Sequence, residues 1–169
     1  DPERLPYSLQ IVLENMLRNY DGKTVKEENI KELLNWNSKN PTEKEIPFKV
    51  SRILMQDFTG VPAIVDLASM RDYAKENGKN PDLIQPGVPI DLIIDHSVQV
   101  DEYNSSKAFE ANLAKEIERN EERYKFLKWA GQAFNSLRIF PPSAGICHQI
   151  NLEYLAKVVM SNNSVAYFD

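Results

Sequence analysis

The stretch KVSRILMQDFTGVPAIVDLASMRDYAKENG, residues 49–78, decides the fold class. Its first part, KVSRILM at 49–55, predicts a strand. GVPAIVDLASMRDYAKE at 60–76 predicts a helix, and Gly78 is placed to end it. Twelve residues further on, past the proline-punctuated loop NPDLIQPGVP, comes IDLIID at 90–95. A compact run of that composition predicts a strand buried on both faces.

The alternation continues outward from this centre. Apolar positions 109, 113, 117, 124, 127 and 134 keep approximate helical phase and predict one long helix over 107–134. LRIF at 137–140 predicts a strand, ended by Pro141 and Pro142. Residues 146–160 predict a helix, and VAYF at 165–168 predicts the next strand. Upstream, Leu9, Val12, Leu13, Met16 and Leu17 predict a helix over 8–19 capped by Ser8, and 25–36 predicts a second. The polar NSKNPTEKEIP that follows predicts a loop. Strand and helix in alternation predict an α/β fold with a mostly parallel sheet flanked by helices. No repeat or clear boundary divides the 169 residues, which read as one partial domain.

Composition narrows the function. At 42% hydrophobic and 27% charged residues, the chain can bury a core. A net charge of −5 provides no general attraction to nucleic acid or anionic membrane. No run approaches the roughly 20 apolar residues of a membrane span. The single cysteine, Cys147, excludes an internal disulfide framework, and a cysteine-only iron–sulfur site needs ligands from elsewhere. The chain starts at Asp1 rather than Met and stops inside an apolar run, so a piece of a longer protein is expected.

Four places carry candidate chemistry. Gln56 and Asp57 stand at the carboxyl end of a strand, where open α/β sheets bind ligands, or else serve as turn and cap residues. Asp95 and His96 end the next strand; a carboxylate can orient an imidazole and raise its pKa, making it a competent general acid. The alternative for His96 is a hydrogen bond within a loop. SAGICHQ at 143–149 combines small residues with a helix start, a setting that suits an anion. There, His148 reads as a ligand contact or a structural group, and Cys147 as a small buried residue. KEIERNEERYK at 115–125 reads as a solvated helix face.

RILMQDFTGVPAIVDLASMRD, VPIDLIIDHSVQVD, NEERYKFLKWAGQAF and PPSAGICHQINLEYLA occur in that order. With LPYSLQIVLENMLRN at 5–19 they resemble the aconitate hydratase family, in its aconitase A and iron-regulatory-protein branch. The resemblance covers nearly the whole chain and implies the N-terminal iron–sulfur-domain type of α/β fold. It implies a lyase that interconverts citrate and isocitrate through cis-aconitate in the tricarboxylic acid cycle. A 4Fe–4S cluster is implied in the full-length parent and none in this piece, which would be inactive alone.

Residue by residue, the resemblance makes Gln56 a substrate contact, His96 the proton donor to the leaving hydroxyl and Asp95 its orienting carboxylate. It makes His148 a second active-site histidine and leaves Cys147 outside the cluster ligands. The family's cluster cysteines, substrate-binding arginines, catalytic serine and Asp-Ser-His motif have no counterpart in these residues. The implied partners are citrate, cis-aconitate, isocitrate and the remaining domains, in the cytoplasm, with no membrane. 2-Methylcitrate dehydratase is the enzyme alternative. RNA binding by a cluster-free parent is the alternative of a different class.

Overall fold

The computed structural model describes residues 1–95, 99–162 and 164–169. In chain order the main elements are α1 (Tyr7–Arg18), α2 (Glu27–Leu34), β1 (Ile53–Gln56), α3 (Asp57–Glu76) and β2 (Ile90–Ile93). They continue with α4 (Ala108–Arg119), α5 (Glu121–Ala133), β3 (Leu137–Phe140), α6 (Cys147–Ile150), a π-helical turn (Asn151–Leu155), β4 (Val159–Asn162) and β5 (Val165–Phe168). Two compact units result: Arg52–Ala156, and Asp1–Ser51 together with Lys157–Asp169.

The unit Arg52–Ala156 is built on a parallel sheet in the order β1-β2-β3, with Met55 opposite Leu92 and Leu92 opposite Ile139. This is the expected α/β arrangement. Every residue of the central strand β2 is buried, as its composition predicts. On one face, Ile90, Leu92, Ile94 and Leu137 pack with Ile64 of α3 and with Leu127, Ala130 and Phe134 of the α5 segment. On the other, Ile93 packs with Cys147, Ile150 and Leu155. Alternate residues of one strand thus feed two different cores, which explains the lack of polar alternation in IDLI.

Helix α3 lies close on the sheet because Gly60 has no side chain; a Cβ there would stand 2.9 Å from Leu92 Cδ1 and 2.9 Å from Met55 Cβ. The helix ends as expected, with Asn77 at its C-cap and Gly78 at φ +66°. It begins earlier than its apolar periodicity suggests, at Asp57 directly after β1, so Gln56 and Asp57 share a sharp strand-to-helix junction.

In the other unit, α1 and α2 bury Leu5, Leu13, Met16, Val25 and Leu33 together. Pro6, not Ser8, occupies the N-cap of α1, and no side chain caps it. The β1 strand starts at Ile53 rather than 49, and the peptide groups of Lys49 are bonded elsewhere. Asn15, buried in α1, donates through Nδ2 to Lys49 O at 2.7 Å and accepts from Lys49 N at 3.1 Å.

Two further expectations are corrected. The long helix over 107–134 is two helices, broken at Asn120. The Asn120 side chain donates to Glu116 O at 2.9 Å, an end-of-helix arrangement that competes with continuation. Residues 146–160 are helical only as far as Leu155; Val159–Asn162 form a strand that pairs antiparallel with β5. The last strand therefore extends a separate two-stranded sheet and not the parallel one.

Candidate active site at the carboxyl edge of the sheet

β1 and β2 run parallel, so their carboxyl ends open on the same edge, and Asp95 follows β2 by two residues. Gln56, the last residue of β1, donates from Nε2 to Asp95 Oδ2 at 3.0 Å. The backbone N of Cys147, first residue of α6, donates to Asp95 Oδ1 at 3.4 Å. One carboxylate therefore gathers groups from β1, from the end of β2 and from the segment after β3. Three stretches separate in sequence meet at the place where parallel α/β sheets bind ligands.

Behind this carboxylate lies a second one. Asp57 is 0% exposed, and its Oδ1 accepts the Asp95 backbone N–H at 3.2 Å. Its Oδ2 is 3.1 Å from Arg123 Nη1 of α5, an ion contact without an aligned hydrogen bond, and Arg123 Nε is buried without an acceptor. Arg123 is fixed in turn by Asn120 Oδ1 at 2.7 Å from Nη2 and by the Phe58 ring, 4.7 Å below the guanidinium. A carboxylate at the start of a 20-residue helix is also favoured by the helix dipole.

The other sequence candidates divide. His148 is exposed in the first turn of α6, next to the Cys147 amide that meets Asp95. His96 lies outside the described residues, so only the carboxylate of the Asp–His pair is placed. The loop before α6 is tightly turned, with Ser143 at φ +68°, but α6 has four residues and offers no long-helix N-terminus to an anion. Cys147 is buried as expected; burial, and then the neighbouring Asp95, push its thiol above the ordinary value.

The solvated reading of 115–125 fails at two positions. Glu116 is 4% exposed and accepts from Tyr124 Oη at 2.8 Å; burial first, then Glu116, push the Tyr124 hydroxyl up to about 12. Arg123 turns inward to Asp57. Arg123 is the site residue that sequence reasoning missed. The available signal was Asn120, a residue type whose side chain readily takes a helix carbonyl and ends the helix.

A resident iron–sulfur cluster can be tested against these side chains. Among the described residues no three His, Cys, Asp or Glu groups come together to hold a metal. The sequence holds one cysteine, Cys147, and it is buried. The described residues do not fit the cysteine ligand set of a cluster.

A parallel sheet flanked by helices, whose carboxyl edge gathers Gln56, Asp95 and the Cys147 turn, places the chain in the α/β class. The family is specific: the model of the aconitase family (aconitate hydratase) matches residues 28–166, and the chain belongs to that family. It is 53% identical over 167 residues to aconitate hydratase A of Streptococcus mutans, covering 99% of this chain and 19% of that protein. Against aconitate hydratase A of Rickettsia bellii it is 53% identical, covering 99% and 18%. Against that of Legionella pneumophila it is 52% identical, covering 95% and 18%. The chain thus spans about a fifth of the length of these relatives. Among the described residues no helix is long and apolar enough to cross a membrane.

Proposed function

We propose that this chain is the N-terminal part of an aconitate hydratase, a cytoplasmic hydro-lyase that interconverts citrate and isocitrate through cis-aconitate. The observation that carries the reading is the convergence on Asp95: Gln56 and the Cys147 amide both donate to one carboxylate at the sheet's carboxyl edge. Its support is the 53% identity to an aconitate hydratase A across 99% of this chain and 19% of that protein.

In this reading, Asp95 is the fixed acceptor that orients His96 and favours its protonated form, as a carboxylate beside an imidazole does. His96 gives its proton to the departing hydroxyl, and its positive charge draws the substrate carboxylates. Gln56 keeps its Nε2 on Asp95 and accepts from a substrate hydroxyl through Oε1. His148, exposed beside the same carboxylate, lines the substrate and hydroxyl environment. The 4Fe–4S cluster and the base belong to the rest of the enzyme, which also completes the domain that these residues begin. The isolated chain, lacking those groups, has no turnover.

The test is a comparison of citrate with 2-methylcitrate as substrates of the full-length enzyme carrying this chain. A clear preference for citrate in kcat/KM is expected. A preference for 2-methylcitrate would move the assignment to 2-methylcitrate dehydratase.

A further inference from the structure

Asp57 is fully buried, and the charged partner that faces it, Arg123, is mostly buried. A fully buried carboxylate costs several kcal/mol unless it is paired, and an apolar residue of similar size would often serve stability as well. Here the pair is retained one residue behind Gln56 and directly behind Asp95. Asp57 is the first residue of α3, and its Oδ1 accepts the Asp95 amide. Arg123 comes from α5, beyond an interruption of the helix that Asn120 makes, and that same Asn120 side chain accepts from Arg123 at 2.7 Å.

We infer that Asp57, clamped by Arg123, is a positioning residue: it holds the peptide of Asp95 so that the Asp95 carboxylate faces Gln56 and the Cys147 amide. This rests on the reading of Asp95 as the orienting carboxylate of the active site. The clamp joins three elements, α5 to α3 to the end of β2, through Nη1–Oδ2 at 3.1 Å and N–Oδ1 at 3.2 Å. Both Gln56 and Asp57 sit at one strand-to-helix junction, so displacement of Asp57 also moves the amide that grips Asp95 from the front. Misplacement of a catalytic group by about 1 Å can cost about a hundredfold in rate.

The experiment uses the full-length enzyme, with kcat expressed per intact cluster and KM for citrate measured alongside. Asp57→Asn and Arg123→Met are each expected to lower kcat by about ten- to a hundredfold while KM changes less than about threefold. The double variant should be no worse than either single one, because the two residues act as a unit. Arg123→Lys, which keeps the charge but not the planar fork, should recover part of the loss. It also decides the matter if Asp57→Asn does not fold. A merely structural pair would lower thermal stability and the yield of intact enzyme but leave kcat per cluster unchanged, and that result overturns the inference. Asp95→Asn separates the two levels. A large loss in Asp95→Asn with full kcat in Asp57→Asn and Arg123→Met refutes the clamp alone. Full kcat in Asp95→Asn refutes the reading beneath it.

Discussion

The backbone N–H of Asp95 donates to Oδ1 of Asp57, at 3.2 Å, so the end of the central strand hangs on the first residue of the preceding helix. Asp95 lies past the last ladder residue of β2, and its amide is donated to the Asp57 carboxylate. Its protection therefore responds to loss of Asp57. Asp57→Ala should accelerate hydrogen exchange at Asp95 by at least about tenfold, the factor equivalent to one hydrogen bond of roughly 1.4 kcal/mol. Site-resolved exchange by nuclear magnetic resonance measures it, and unchanged exchange would show that the amide is protected by something else.

Asp91 points away from the main core within β2 and is 3% exposed. Arg138, its register partner on β3, covers it with two bonds, Nε–Oδ1 at 2.6 Å and Nη2–Oδ2 at 2.8 Å. The guanidinium is itself largely exposed, so the pair is not a fully buried one and its breakage costs less than the 3–5 kcal/mol of that case. Arg138→Ala should destabilise the protein by about 2 kcal/mol. Arg138→Lys should do so by less, since it keeps the charge and loses the fork. Urea unfolding of the two variants distinguishes these costs, and equal stability of all three proteins would contradict the account.

Gly60→Ala sets two effects against each other. Alanine favours a helix interior by about 1 kcal/mol over glycine. Its Cβ would nevertheless meet Met55 Cβ and Leu92 Cδ1, both at 2.9 Å. Leu92 can rotate its methyl away, but Met55 Cβ is fixed to the strand backbone, so α3 itself must lift. Overpacking of this kind costs about 1–3 kcal/mol and wins. A lower thermal midpoint is expected; a higher one would mean that α3 does not rest on the sheet at Gly60.

Acid should act on the α1–α2 unit through Asp21. Its Oδ1 accepts from the backbone N–H groups of Lys23, Thr24 and Val25 at 2.9, 2.8 and 3.0 Å. The Lys23 amide first, then that of Val25, hold the carboxyl well below its ordinary value of 3.8. A carboxylate whose folded pKa is depressed contributes stability above its unfolded pKa and loses that contribution as pH falls toward the folded one. The loss should therefore start near pH 4 and deepen below it. Asp21→Asn keeps the acceptor oxygen and removes the titration, so its stability should vary less over that acid range. Equal pH slopes for the two proteins would be the contrary result.

Much of the sheet was legible because β1, β2 and β3 announce themselves by composition: ILMQ, IDLI and LRIF are short, apolar and bounded by turn residues. The placement of Gln56 and Asp95 at one edge was legible for the same reason, since they sit at or just beyond the ends of two such runs. Periodicity could not show the break at Asn120, because one interrupted residue leaves the apolar spacing nearly in phase while the side chain takes the Glu116 carbonyl. Arg123 was hidden by the same break. The predicted helix over 146–160 runs into Val159 and Met160, yet Val159–Asn162 pairs antiparallel with Val165–Phe168 just downstream; strand pairing overrides local helical propensity. The side chain of Asn15 takes both peptide groups of Lys49, a long-range bond that no local pattern signals.

The most direct test of the central claim is citrate turnover by the full-length enzyme carrying this chain, followed by the ultraviolet absorbance of cis-aconitate, in the parent protein and in His96→Asn. The account predicts interconversion of citrate and isocitrate by the parent, and a loss of at least about a hundredfold in the variant with the cluster intact, as for removal of a general acid. An unchanged rate in His96→Asn, or a cluster-loaded parent that does not act on citrate, would contradict it.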